Sequence, residues 1–298
     1  MSAGSIFATL SGVAVLLVVV ACGERSEPFG LLPPDLPVTV QGAAAEPFVG
    51  ESLPARVVAL DAGVGATAWE LGANVVGAPS DVVDPSIELI AGSNGQIDID
   101  AVRALAPDLI LATPQTEPSV VAQLADNPAV PIYTAPAASV DDVVRSAQEL
   151  GLILGDPVLS REFSGDLRSS LDDAIRRIAG REPVRVFVDT GFRIPPDPNS
   201  LFVDVLAHAG GLFVPEDAIV DSSVETVELE QVAPDVYLAT PESRVSLAGL
   251  QANEQLNRLP AVVSERVFVI DNAILSVGGP DVVQTINDLI DILHPDAP

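Results

Sequence analysis

The chain of 298 residues has no lysine, a single cysteine, one tryptophan, two tyrosines and two histidines. With Cys22 alone, no intramolecular disulfide can staple the fold. All 14 basic residues are arginines, set against 42 acidic ones, and the net charge is −28. Such a surface repels phosphate backbones and anionic lipid, which excludes a nucleic-acid-binding role. A zinc or manganese centre needs several His, Asp or Glu side chains converging on one point. His208 precedes Gly210-Gly211 and His294 sits in a terminal Leu-His-Pro phrase, so both read as structural and no metal centre is expected. There is also no Gly-x-Ser-x-Gly elbow, no cysteine nucleophile and no convincing histidine base. The chain is not expected to be an enzyme.

What is present is apolar and patterned. The apolar fraction of 48% excludes disorder, and the length suffices for two domains with separate cores. The uncharged run Ile6–Ala21 is too short for a comfortable membrane span of about 20 residues, and polar residues follow at once. It ends in Val19-Val20-Ala21-Cys22, which resembles the lipobox of bacterial lipoproteins. That resemblance implies a signal peptide over 1–21, acylation of Cys22 and an extracytoplasmic protein anchored to the cell membrane. Residues 22–54, rich in Pro, Gly, Ala and acidic residues, read as a flexible tether.

From Arg56 onward strand and helix patterns alternate, which implies parallel sheets with crossover helices. Ala106–Gln115 (APDLILATPQ) recurs as Ala233–Glu242 (APDVYLATPE), 127 residues later. The strand opening at Arg56 (RVVALD) recurs at Arg185 (RVFVD) in the same order. The fold class is therefore α/β, with two similar Rossmann-like lobes over 55–156 and 181–298. Between them, over 157–180, Phe163, Leu167, Leu171, Ile175 and Ile178 recur at spacings of three and four, one face of a long helix. Pro157 and Gly180 bracket it.

The whole arrangement resembles the cluster A (class III) substrate-binding lipoproteins of ABC importers. The resemblance rests on RVVALDAGVGATAWELGANVVG, IDIDAVRALAPDLILAT, the spacer helix, SLFVDVLAHAGG, VELEQVAPDVYLAT and the close around Gly278-Gly279-Pro280. It implies an ABC permease and its ATPase as partners, a monomer, and capture of a metal chelate between the lobes. A ferric siderophore leads and vitamin B12 (cobalamin) follows, with no covalent cofactor. The alternative is a surface-tethered sensor or scaffold that keeps the fold and feeds no transporter. In this family an acid on each lobe tip docks on permease arginines. Asp204 falls at the second-lobe position; its first-lobe counterpart aligns with Ala66, leaving Glu70 one turn on as a substitute.

Gly63-Val64-Gly65-Ala66-Thr67-Ala68 also fits a dinucleotide fingerprint, with Asp81 as a ribose ligand, but Gly72 ends the helix too early for that use. Small residues that let a helix pack closely are the other reading. Open α/β sheets bind ligands at the carboxyl ends of their strands. The candidate cleft residues are accordingly Asp61, Gly63, Val64, Ser80, Asp81, Gln115 and Thr116 in the first lobe. In the second they are Arg193, Asn199, Ser200, Pro241 and Asn272. Arg193 suits an anionic oxygen of the chelate. Trp69 reads as helix-to-sheet packing and Tyr237 as core.

Overall fold

Near-continuous runs of Val, Ile, Leu and Ala make strands that are buried on both faces, the pattern of parallel sheets. A computed structural model describes residues 36–80, 84–92, 95–126, 130–275 and 278–297. Its first lobe contains β1 (Val38–Val40), β2 (Phe48–Gly50), β3 (Val57–Ala59), α1 (Ala62–Glu70), β4 (Val75–Ala78) and β5 (Glu88–Leu89). It continues through α2 (Ile99–Ala104), β6 (Leu109–Ala112), α3 (Pro118–Ala125), β7 (Ile132–Thr134) and α4 (Val140–Leu154). The spacer is α5 (Pro157–Arg177). The second lobe runs β8 (Val184–Asp189), α6 (Leu201–His208), β9 (Gly211–Phe213), α7 (Thr226–Val232) and β10 (Val236–Ala239). It closes with α8 (Leu247–Ala252), α9 (Pro260–Val263), β11 (Val267–Val269), α10 (Asn272–Leu275) and α11 (Val282–Leu293).

The first sheet has the order β5-β4-β3-β6-β7 and the second β11-β10-β8-β9, with every neighbouring pair parallel. Each sheet is covered by apolar clusters on both faces. The internal repeat is one device used twice. Asp108 accepts the backbone N–H of Arg56 at 2.8 Å, and Asp235 accepts that of Arg185 at 3.1 Å. The arginine side chains reach the carbonyls of Leu105 and Val232, which are also repeat-equivalent. Ala106 and Ala233, the residues before the repeated prolines, both hold the left-handed conformation, at φ 46° and 45°. An aspartate that opens one strand thus sets the register of the neighbouring strand in both lobes. The Arg185–Asp235 pair holds the Asp235 carboxyl below the usual carboxylate range.

α5 does not join the lobes alone. α4 turns into it through Gly155, whose left-handed φ of 84° caps α4; Asp156 caps α5 by accepting the Leu159 N–H. The first half of α4 (Val140, Val143, Val144) packs in the second-lobe core, while Leu150 and Ile153 pack in the first. α5 reverses this: Leu159 and Phe163 lie against the first core, and Leu167, Leu171 and Ala174 belong to the second. Ile175, expected on the buried face, is exposed because Ala174 takes its place. The two helices meet closest at Gly151, where a Cβ would stand 2.0 Å from the Ser160 hydroxyl.

The tether reading needs correction over 38–50. β1 and β2 pair antiparallel and dock on the first lobe. Val40 joins its core, Phe48 meets Tyr133 edge-on, and Ala43 donates to the Thr134 carbonyl. Glu149 accepts both the Gly42 N–H and the Tyr133 hydroxyl; burial and that carboxylate push the tyrosine far above its ordinary pKa. The Pro, Gly and Ala content hid a short ribbon whose Val38, Val40 and Phe48 cover a core face. Residues 1–21 and Cys22 lie outside the described residues, as do 23–35. Among the described residues no helix is long and apolar enough to cross a membrane.

Two outcomes follow from this packing. Gly151→Val, which must part α4 from α5, is expected to destabilise the fold by about 1–3 kcal/mol in urea titrations. His294 is buried at the end of α11, and burial holds its imidazole below the ordinary value. The unfolded chain therefore takes up this proton first as pH falls. The corresponding stability is complete above about pH 6.5 and is lost as pH drops below it. His294→Gln should make stability fall less steeply between about pH 7 and pH 5, measured against wild type in the same salt.

Candidate functional site

In the first sheet the chain reverses its direction of winding between β3 and β6, and the crevice beyond their carboxyl ends is where an open α/β sheet takes a ligand. A cavity of ≈ 250 Å³ lies there. Asp61, Val64 and Thr67 line it from the start of α1, and Thr113 and Gln115 from the loop after β6. Ala135, Pro136 and Ala137 follow β7, while Val143 and Ser146 come from α4. The second lobe closes the cavity with Ser200, Leu201 and Phe202 at the start of α6, and with Leu275, Gly278 and Gly279. Asp61 is fixed as the N-cap of α1, one carboxylate oxygen accepting the Val64 N–H at 3.0 Å.

The glycine motif of α1 serves packing on two sides: Val64 and Ala68 join the core against the sheet, while Gly63 meets the other lobe. A Cβ on Gly63 would stand 2.6 Å from the backbone of Gly278, and one on Gly279 would stand 2.2 Å from the Gly63 carbonyl oxygen. Gly279 also holds φ 60°. Backbone thus meets backbone where α1 touches the Gly-Gly-Pro turn of the other lobe, and no room is left there for a pyrophosphate.

The equivalent place in the second lobe is filled by the protein itself. Asp189, at the end of β8, is almost fully buried. It accepts the Gly191 and Arg193 N–H groups on one oxygen and the Tyr237 hydroxyl on the other, the last at 2.7 Å. Burial and the Asp189 charge push the Tyr237 phenol well above its ordinary pKa, while Arg193 pulls it the other way. Thr240 donates to the Thr190 carbonyl. Its repeat counterpart, Thr113, is 3% exposed and its hydroxyl has no partner. The Ser200 hydroxyl is likewise buried without a partner, and it does not cap α6.

Four of the sequence candidates, Asp61, Val64, Gln115 and Ser200, come together at the cavity. Gly63 stands beside it, against Gly278. Arg193 does not line it; its Nε donates to the Val224 carbonyl, and its own N–H is held by Asp189. Thr116 is turned inward to accept the Thr113 N–H. Asn199 is engaged with Asp197. Asn272 hydrogen-bonds Glu242 and lowers that carboxyl's pKa, and Pro241 starts an exposed turn beside it. Ser80 has a buried hydroxyl without a partner but lies outside the cavity lining. Asp81 falls outside the described residues.

Asp204, the expected docking acid, sits at the junction of the lobes with its side chain about one-third exposed. Its carboxylate accepts the Val140 N–H at 2.7 Å and so caps α4 from the other lobe, because α6 runs beside the junction rather than out to a tip. Glu70 is exposed at the end of α1. Trp69 is 36% exposed, and Tyr237 is core as expected. Thr67, Ser146 and Gly279 were missed; Thr113 opens the loop after β6, whose strand end marks it as a cleft candidate.

Residues 70–274 match the family described as periplasmic binding protein. A cobalamin-binding protein of Halobacterium salinarum is 26% identical over 251 residues, spanning 76% of this chain and 68% of that one. The uncharacterized ABC transporter substrate-binding lipoprotein YvrC of Bacillus subtilis is 21% identical over 281 residues, spanning 87% and 86%. Among solved structures, the periplasmic heme-binding protein RhuT from Roseiflexus sp. RS-1 superposes with a TM-score of 0.67 at 20% identity, covering 80% of this chain and 98% of that one.

Tyr237→Phe would leave one oxygen of the buried Asp189 without its donor. The expected loss is about 1–3 kcal/mol in thermal or urea unfolding, with the cavity in the first lobe unaffected.

Proposed function

The chain belongs to the periplasmic binding protein family, and we propose that it is the lipid-anchored, extracytoplasmic receptor of an ABC importer, working as a monomer that hands a metal chelate to a permease and its ATPase. Proteins of this family bind solutes and are not enzymes. The observation that carries the reading is the cavity at the first lobe's switch point, lined from both lobes and holding two buried hydroxyls without partners. A ligand entering there touches both lobes at once, so binding couples to their separation about the α4–α5 pair.

The cargo is a corrinoid of the cobalamin type. The Halobacterium relative supports this. The case for a ferric siderophore drew in part on Arg193, which does not line the cavity and whose Nε donates to the Val224 carbonyl. Anchoring through Cys22 is supported by Val19-Val20-Ala21-Cys22 and by the Bacillus relative, named as a lipoprotein. One observation favours a tethered sensor instead: one Asp204 oxygen is held by the Val140 N–H, and Ala66 offers no acid at the other family docking position.

Calorimetric titration with cyanocobalamin, ferrichrome, a ferric catecholate and haemin tests the cargo. Saturable sub-micromolar binding of cyanocobalamin alone is expected; tight binding of the catecholate or haemin alone would reject the corrinoid. Labelled palmitate should enter the wild-type chain in cells and not Cys22→Ala. Failure of the loaded protein to stimulate its permease and ATPase would favour the sensor.

A further inference from the structure

The cavity has a chemical polarity that narrows its cargo further, an inference that rests on the proposed function above. Asp61 is the only ionisable side chain among the described residues that line it. One of its oxygens accepts from Val64; the other is left to accept from whatever enters. Among the other lining residues are groups that donate. The Thr113 hydroxyl is buried and has lost, relative to its repeat twin Thr240, the carbonyl that would satisfy it. The Ser200 hydroxyl stands in the same state across the lobe boundary. Beside it, the first-turn N–H groups of α6 at Leu201 and Phe202 lack intrahelical acceptors, as at any helix start, and carry its positive dipole end.

We infer that the cavity receives an uncharged primary carboxamide arm of the cargo, its NH₂ donating to Asp61 and its carbonyl accepting from Thr113, Ser200 and the start of α6. A carboxylate arm would set a second negative charge against Asp61 with no cation among the lining residues to offset it. An ammonium arm would satisfy Asp61 but leave the hydroxyl protons and the helix N–H groups without an acceptor, at the positive end of a helix. A carboxamide satisfies both ends at once.

Cyanocobalamin and its monocarboxylic acids, each with one side-chain amide hydrolysed, form the test. In the wild type at pH 7, at least one acid isomer is expected to bind about tenfold or more weaker than cyanocobalamin. Asp61→Asn keeps an N-cap for α1 while removing the charge, and should bring that ratio to within about threefold. Thr113→Val and Ser200→Ala should each weaken cyanocobalamin about three- to tenfold. Because the amide-to-acid ratio is taken within one protein, partial misfolding of a variant cannot produce it. Equal binding of every acid isomer, or an unchanged ratio in Asp61→Asn, overturns the carboxamide assignment and leaves the transport reading standing. Absence of cyanocobalamin binding to the wild type, with the ammonium-bearing ferrioxamine B bound instead, overturns both the corrinoid and the carboxamide.

Discussion

Two helices that belong to two cores at once hold this molecule in its form. α4 buries its first half in the second lobe and its second half in the first; α5 does the reverse. Neither lobe can turn without disturbing apolar contacts in both, and the hairpin depends on the missing side chain at Gly151. Asp204 reinforces the junction by capping α4 from the opposite lobe. A hinge made this way stores its stiffness in packing, because a close-packed interior shifts between discrete arrangements rather than stretching. Affinity can then rest on loops already in place, and less is spent on ordering them.

The lobes began as the same pattern and differ where the chemistry lies. In both, an aspartate at the start of one strand clamps the arginine that opens its neighbour. In both, a threonine ends the strand of the APD phrase. The second lobe closes its switch point with Asp189, Tyr237 and Thr240. The first lobe leaves the corresponding threonine hydroxyl buried without a partner, facing a cavity. A buried hydroxyl without a partner costs free energy in the empty protein. A ligand that satisfies it recovers that cost on binding.

Much of the fold was legible in the chain. Runs such as LILA and VYLA declared buried strands, the repeated APD phrase declared two lobes, and the apolar face from Phe163 to Leu171 declared the spacer. The ribbon at 38–50 was not legible, since three-residue strands among Pro, Gly and Ala carry too little periodicity. The site was legible only in part. Asp61, Val64, Gln115 and Ser200 could be placed because strand ends in α/β sheets are predictable; Arg193 and Asp204 could not, because a charge read from local sequence reveals nothing about which distant backbone group it will meet.

By itself the sequence determined the α/β class, the duplication and the start of the spacer helix at Pro157, which runs to Arg177 rather than to Gly180. These follow from local patterns and from residue types, which need no third dimension. Only the tertiary structure decided which hydroxyls remain free, that Gly63 of α1 meets the Gly-Gly-Pro turn, and that the sharpest candidate cation lies outside the cavity lining. Each of those depends on which distant backbone lies within hydrogen-bond reach. Thr113 and Thr240 end the same phrase; what separates them is that only Thr240 has a carbonyl beside it.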